Sequence, residues 1–284
     1  MNEGNCFTYE WFMQTSRNLD RSKTRLPESG RIIMSSIKQK LNIKDFHDIK
    51  TRARKEIIQK PTSTLTELYK LLNKISPRTF DKLSSQIYTI IDDVVEENDS
   101  HNEICKKFFD IISNDAVCCS VYAKLFSKIV SKHDEFRTML RLHINIYLDE
   151  FKEIKYVSSN EDYDKYCEYV KQIDKKTNFT LFLVQCFKCL ICNLDDMVQI
   201  VLYLQERLLQ TLEKEECINE NEQITNTLYI LIHALYDMAI FHEEWDIICR
   251  NHENIKNSTG KGKTSKLKFK IMDIDDIILK NKTE

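Results

Sequence analysis

The sequence predicts an all-α protein, built as an α-solenoid of antiparallel helix pairs, and three observations predict it. Only 4 Gly and 3 Pro occur in 284 residues, too few for the tight turns of a strand-dense fold or for glycine-rich phosphate loops. Apolar residues recur at spacings of three and four through most of the chain, which gathers them on one face of each helix. The polar connectors between these stripes are short, so consecutive helices must be antiparallel neighbours. About ten helices in pairs, each pair burying its stripe against the next, make a solenoid. The period is too loose to establish a repeat, and a helical bundle is the other all-α arrangement that fits.

Residues 1–64 read as a separate arm. They hold 13 Lys/Arg against 7 Asp/Glu and two of the three prolines, and lack sustained apolar periods. From Leu65 the pattern changes. Leu65, Leu68, Leu72 and Ile75 form a first stripe. Ser76-Pro77 ends that helix and starts the next, since proline is tolerated in a first turn. Phe80, Leu83, Ile87, Ile90 and Ile91 follow, up to the acidic run 96–99. Further helical patterns cover 102–113, 116–131, 135–155, 162–173, 178–193, 195–214, 222–241 and 243–254, with connectors at 131–134, 157–161, 175–178 and 215–222. A last helix begins near Phe269, marked by Ile271, Ile274, Ile277 and Ile278, because lysines in its first turn would oppose the helix dipole.

Composition excludes several function classes. Apolar residues at 42% exclude a wholly disordered chain, and a net charge of -2 argues against a general polyanion binder. The longest apolar stretches, 179–194 and 227–241, are too short to span a bilayer. No signal peptide is evident, so the protein reads as soluble and cytoplasmic, with its 10 cysteines reduced.

Candidate chemistry is sparse. Cys186, Cys189 and Cys192 have a zinc-like spacing but sit in an apolar helical run without turn residues, so core packing is preferred over a metal. Gly260-Lys-Gly-Lys-Thr264 resembles the end of a phosphate loop. Asn257 stands where the pattern needs glycine and no strand precedes it, so a flexible basic linker is the reading. His233 and Asp237 are one helical turn apart and read as a helix pair rather than a general base. No catalytic pattern, metal site or cofactor site emerges, and the protein is not expected to be an enzyme. Phe7, Tyr9, Trp11, Phe12 and Met13 place large apolar groups in the arm. They suit either a docking peptide for a partner or a segment tucked onto the helical domain.

Five stretches in order resemble the middle domain of eukaryotic translation initiation factor 4 gamma. They are Leu71–Leu83 with its Asn-Lys and Ser-Pro, Val121–Ala123, Phe136-Arg137 leading to Asp149–Glu153, Phe182–Lys188, and Lys263–Phe269 followed by Asp273, Ile274 and Asp276. The resemblance covers about 65–284 and implies five HEAT-like helix pairs. It further implies a translation-initiation scaffold whose partner is a DEAD-box RNA helicase, initiation factor 4A-like. Asn73, Lys74 and Pro77 would contact one helicase lobe, and Lys266, Lys268 and Phe269 the other. Two grips on a two-lobed ATPase would bias its open–closed population. The arm resembles the family's cap-binding-subunit peptide, with Phe7, Trp11, Phe12 and Met13 as docking residues for an initiation factor 4E-like protein. Phe7 lacks the hydroxyl of the family's tyrosine, a hydrogen bond worth ~1 kcal/mol. Gln59-Lys60 precedes Pro61 where relatives often carry tryptophan, and Val184-Gln185 replaces a glycine-glutamate pair. The chain would act as a monomer within a hetero-complex, with mRNA as a further partner. The alternatives are a helicase-binding scaffold in another RNA step, such as splicing or decay, and a helical protein that binds RNA directly.

Overall fold

A computed structural model describes residues 64–98 and 101–279. All lie in the second of the two units into which the chain divides, Thr62–Glu284. The described residues are all-helical, with ten α-helices and no strand. In chain order these are α1 (Thr64–Leu72), α2 (Phe80–Asn98), α3 (His101–Ile112), α4 (Cys119–Lys132), α5 (Glu135–Asp149), α6 (Tyr163–Lys188), α7 (Leu194–Thr211), α8 (Ile218–Ala239), α9 (Trp245–Asn257) and α10 (Ser265–Leu279). Short 3-10 turns at Glu150–Glu153 and Glu215–Cys217 cover two connections. No described helix is long and apolar enough to cross a membrane.

Packing follows chain order. The even-numbered helices stack in one series, α2 on α4, α4 on α6, α6 on α8 and α8 on α10. The odd-numbered helices make a second series, α1 on α3, α3 on α5 and α7 on α9. The series are joined within pairs, notably α1 with α2, α7 with α8 and α9 with α10.

The core is densest where α3, α4, α5 and α6 meet. Phe108, Phe109, Phe126, Phe136, Phe179 and Phe182 are all buried there. Phe108 stacks on Phe126 at 5.2 Å, and Phe109 stacks on the His143 ring at 4.4 Å. Such ring pairs add about 0.5–1.5 kcal/mol each beyond the area they bury. Polar links extend from this junction. The Tyr122 hydroxyl donates to the Leu72 carbonyl of α1 (3.3 Å), and Tyr147 bonds Thr180 (2.7 Å).

Four details differ from the sequence reading. Pro77 does not open a helix. The α1–α2 turn runs to Thr79, whose hydroxyl accepts from the Ser76 N–H (2.9 Å) and donates to the Lys74 carbonyl (2.9 Å). The connector expected at 175–178 lies inside α6, one helix of 26 residues. Its polar residues serve tertiary contacts. The Lys176 ammonium pairs with Glu150 (2.9 Å) and lies 4.9 Å from the Phe151 ring centroid, while Asn178 donates to the Ser113 carbonyl (3.1 Å). In the opposite direction, the helix expected to reach 193 stops at Lys188. The Ile191 N–H returns to the Cys186 carbonyl (2.9 Å), with Leu190 left-handed at φ 59°. Leucine there costs roughly 1 kcal/mol over glycine. Finally, α8 begins within the expected 215–222 connector, because its polar first turns are bonded rather than solvated. Glu220, 4% exposed, accepts from Arg207 at 2.6 Å.

A buried histidine, His252, and a half-buried one, His143, give the fold a pH dependence. Burial lowers the pKa of His143 and of His252, outweighing for His252 the attraction of Asp275 at 3.4 Å. Between the lowered folded values and the unfolded value near 6.5, the unfolded chain binds more protons. Stability is therefore full above about pH 6.5 and falls as pH drops through the folded values. The urea midpoint, followed by circular dichroism, is expected to decrease from pH 7.5 to pH 5, and His252→Gln should flatten that slope.

Candidate functional site

The residues singled out in the sequence fall on two separate edges. Asn73, Lys74 and Pro77 are exposed on the α1–α2 turn, at the first helix pair. The turn is held from beneath by Leu72 and Ile75, both buried, and by the Thr79 hydroxyl. Lys266, Lys268 and Phe269 share the first turns of α10, in the last pair. The structure does not bring the two sets together. The principal contacts of α1 are with α2 and α3, and those of α10 are with α8 and α9. Phe7, Trp11, Phe12 and Met13 lie outside the described residues.

The α10 edge is assembled from the loop that precedes it. This loop is not a flexible linker. Gly260 and Gly262 press directly on the chain after α7, and the Gly262 N–H donates to the Leu212 carbonyl (2.8 Å). A Cβ on Gly260 would stand 2.2 Å from that same carbonyl oxygen, so only glycine fits. Asn221 of α8, fully buried, donates to the Thr211 carbonyl (3.2 Å) and the Gly262 carbonyl (3.3 Å) and accepts from the Thr211 hydroxyl (2.6 Å). Lys263 points back to the end of α9, donating to the carbonyls of Ile255 (2.9 Å) and Ser258 (2.9 Å). These are orphan acceptors of a helix C-terminus, which a lysine satisfies. Burial lowers the Lys263 pKa, and Lys268 nearby adds to the effect. The loop is therefore a structural clasp with none of the open N–H cradle of a phosphate site.

α10 starts at Ser265, four residues before the expected Phe269. Thr264 caps it, accepting from the Leu267 N–H (3.2 Å), and its hydroxyl donates to Glu222 of α8 (2.7 Å). The basic first turn is offset by partners across the packing interface. Lys266 pairs with Glu222 (2.8 Å), and Lys270 lies 4.0 Å from the Tyr229 ring centroid. At the far end, Asp275 anchors the helix through Lys256 (2.7 Å), with the His252 ring 3.4 Å away.

The inner face of α10 buries Leu267, Ile271, Ile274, Ile277 and Ile278. Its outer face carries a second apolar row. Phe269 is 68% exposed and Met272 60% exposed, one turn apart. A helix that needs only one stripe for its core thus presents two further apolar side chains to solvent. Sequence reading found Phe269 through a resemblance and missed Met272. Both stand out of phase with the isoleucine stripe, and that phase was the available signal.

A groove of about 670 Å³ separates α5 from α7. Its walls include Leu140, Ile144, Ile200 and Cys192, and its rim carries Arg141 and Asp195. Among the described residues, no group of three or more His, Cys, Asp or Glu could hold a metal ion. The nine described cysteines are free thiols. Burial pushes Cys105 up to about 12 and Cys119 up to about 11, which keeps them inert. His233, exposed on α8, has its ring 6.0 Å from the Tyr229 ring. No protein-family model matches the chain, and no curated protein matches it.

Because the clasp holds α10 in place, Gly260→Ala is expected to destabilise the fold by on the order of 3 kcal/mol. Lys261→Ala, one residue away and exposed, should be near neutral. Thermal melts of the two variants test the clasp.

Proposed function

We propose that this protein is a translation-initiation scaffold, which binds and modulates a DEAD-box RNA helicase through the α1–α2 turn and the outer face of α10. It performs no chemistry of its own in this reading. The observation that carries the proposal is the outer row of α10. Phe269 and Met272 contribute little to the core, yet they sit on a helix fixed by a cap, a glycine clasp and a cross-helix ion pair. Because the helix beneath it is already fixed, Phe269 is presented on an ordered backbone and a partner has less ordering to impose on binding.

Two further features support the reading. The even helices stack in one series and the odd helices in two runs, α1–α3–α5 and α7–α9, an arrangement that suits paired helical repeats. The exposed α1–α2 turn and the α10 edge belong to the first and last of those pairs, so a partner gripped by both would need two lobes. The arm would add a cap-binding subunit through Phe7, Trp11, Phe12 and Met13. Direct RNA binding is less well supported, because Lys263, Lys266 and Lys270 are committed to partners within the domain.

The test separates folding from recognition. Lys266 pairs with a half-buried Glu222, so its reversal would place two carboxylates together. Phe269→Ala combined with Lys268→Glu avoids that conflict. This double variant is expected to keep the wild-type melting temperature. It should bind an initiation factor 4A-like helicase about 30-fold more weakly, the loss of a hot spot worth roughly 2 kcal/mol. Unchanged pull-down and unchanged stimulation of helicase ATPase would refute this assignment of the α10 edge.

A further inference from the structure

A second, smaller cavity of about 250 Å³ is lined by α6, α8 and α10. Thr177 of α6, Glu222, Gln223 and Asn226 of α8, and Lys266 and Lys270 of α10 form its polar lining. Only Ile173 and Leu267 among the lining residues are apolar. Polar groups drawn in from solvent need hydrogen-bond partners. Several of these have bonds left to make.

The two amides are the clearest case. Gln223 is 6% exposed, and its Nε2 donates to the Thr177 hydroxyl (3.2 Å). That hydroxyl in turn donates to the Ile173 carbonyl (3.1 Å). The amide of Gln223 is therefore fixed, with Oε1 left as an acceptor that takes no hydrogen bond from the described residues. Asn226 stands one turn further along α8, half-buried, and its side chain makes no hydrogen bond with the described residues. The cations are one turn apart on α10. Lys270 is steadied 4.0 Å from the Tyr229 ring centroid and gives one N–H to Asp273 (2.9 Å), which is not a lining residue. Lys266 gives one N–H to Glu222 (2.8 Å). An ammonium has three donors, so each lysine keeps others. Glu222 is already occupied, since it also accepts from the Thr264 hydroxyl (2.7 Å). Two ammonium groups against one carboxylate leave the lining with a net charge of one positive.

We propose that this cavity is a binding site for a carboxylate that stands beside an amide, the chemistry shared by an N-acyl amino acid and the C-terminal residue of a peptide. Lys266 and Lys270 hold the carboxylate by charge-assisted hydrogen bonds. Gln223 Oε1 accepts the amide N–H of the ligand, and the Asn226 side chain donates to its carbonyl. A cavity of this size holds a terminal residue and its amide but no large ligand. One small carboxylate needs only the spare lysine donors, whereas a polyanion would need the whole charge of both. The proposal does not rest on the scaffold reading, because Lys268 and Phe269, which test that reading, do not line the cavity.

Titration of the full-length, isotope-labelled protein with N-acetylglycine, followed by NMR, tests the site. The side-chain amide signals of Gln223 and Asn226 are assigned by their loss in Gln223→Met and Asn226→Ala. Both signals should move in wild-type protein and saturate at millimolar ligand. N-acetylglycinamide, which lacks the charge, should bind at least ~10-fold more weakly. Acetate, which lacks the amide, should bind ~5-fold more weakly. Lys270→Gln should weaken N-acetylglycine ~10-fold. A tripeptide acid ending in glycine separates the two sources of ligand. Tighter binding than N-acetylglycine identifies a peptide C-terminus, equal or weaker binding identifies a small acyl amino acid, and both support the site. Amide signals that stay still, or that respond equally to N-acetylglycinamide, would mean that water alone fills the cavity. Either result overturns the proposal. The comparison of N-acetylglycine with its amide uses wild-type protein, so it decides the matter even if a variant fails to fold.

Discussion

The burial of one set of aromatic rings is the constraint on which the rest of the domain depends. Phe108 and Phe109 of α3, Phe126 of α4, Phe136 of α5 and Phe179 and Phe182 of α6 close on one another with no solvent between them. Four helices can share such a junction only in one register, because ring packing is directional and interiors are close-packed. The junction then fixes what lies on either side. Towards the first pair, Tyr122 reaches from it to the end of α1. Towards the later pairs, α6 leaves the junction to pack on α8, which in turn carries α10.

Away from that junction, polar groups set the geometry as much as apolar ones. Asn221 ties three segments together from one buried amide. Lys263 closes the open end of α9. Glu222 serves both the cap and the first lysine of α10. Each of these groups would be costly if buried without partners, so each demands one arrangement of its neighbours. The same economy explains why the lysines near α10 do not make a polyanion site. Most of their charge is spent inside the domain.

The surface left over is where function belongs. An outer apolar row on α10, an exposed turn at the first pair and a groove between α5 and α7 are features that the core does not require. The scaffold reading uses the first two.

Hydrophobic spacing by itself determined the all-α class, the positions of most helices and the inner stripe of α10. A 3.6-residue period is a local property, and each stripe must be buried somewhere whatever the partner. Phe269 was legible only through the initiation factor 4 gamma resemblance. Tertiary structure alone decided the fate of the polar segments. Lys176 and Asn178 looked like a connector because charged and amide groups usually seek water; Glu150, Phe151 and the Ser113 carbonyl supply a substitute for it. Gly260 and Gly262 looked like a mobile linker because their need for contact with Leu212, far away in sequence, leaves no local trace. The same holds for the turn after α6. An apolar run concealed it, and it is closed by Leu190 in a backbone conformation leucine seldom takes. Such choices depend on energies summed over residues that meet only after folding, and no window along the chain contains them.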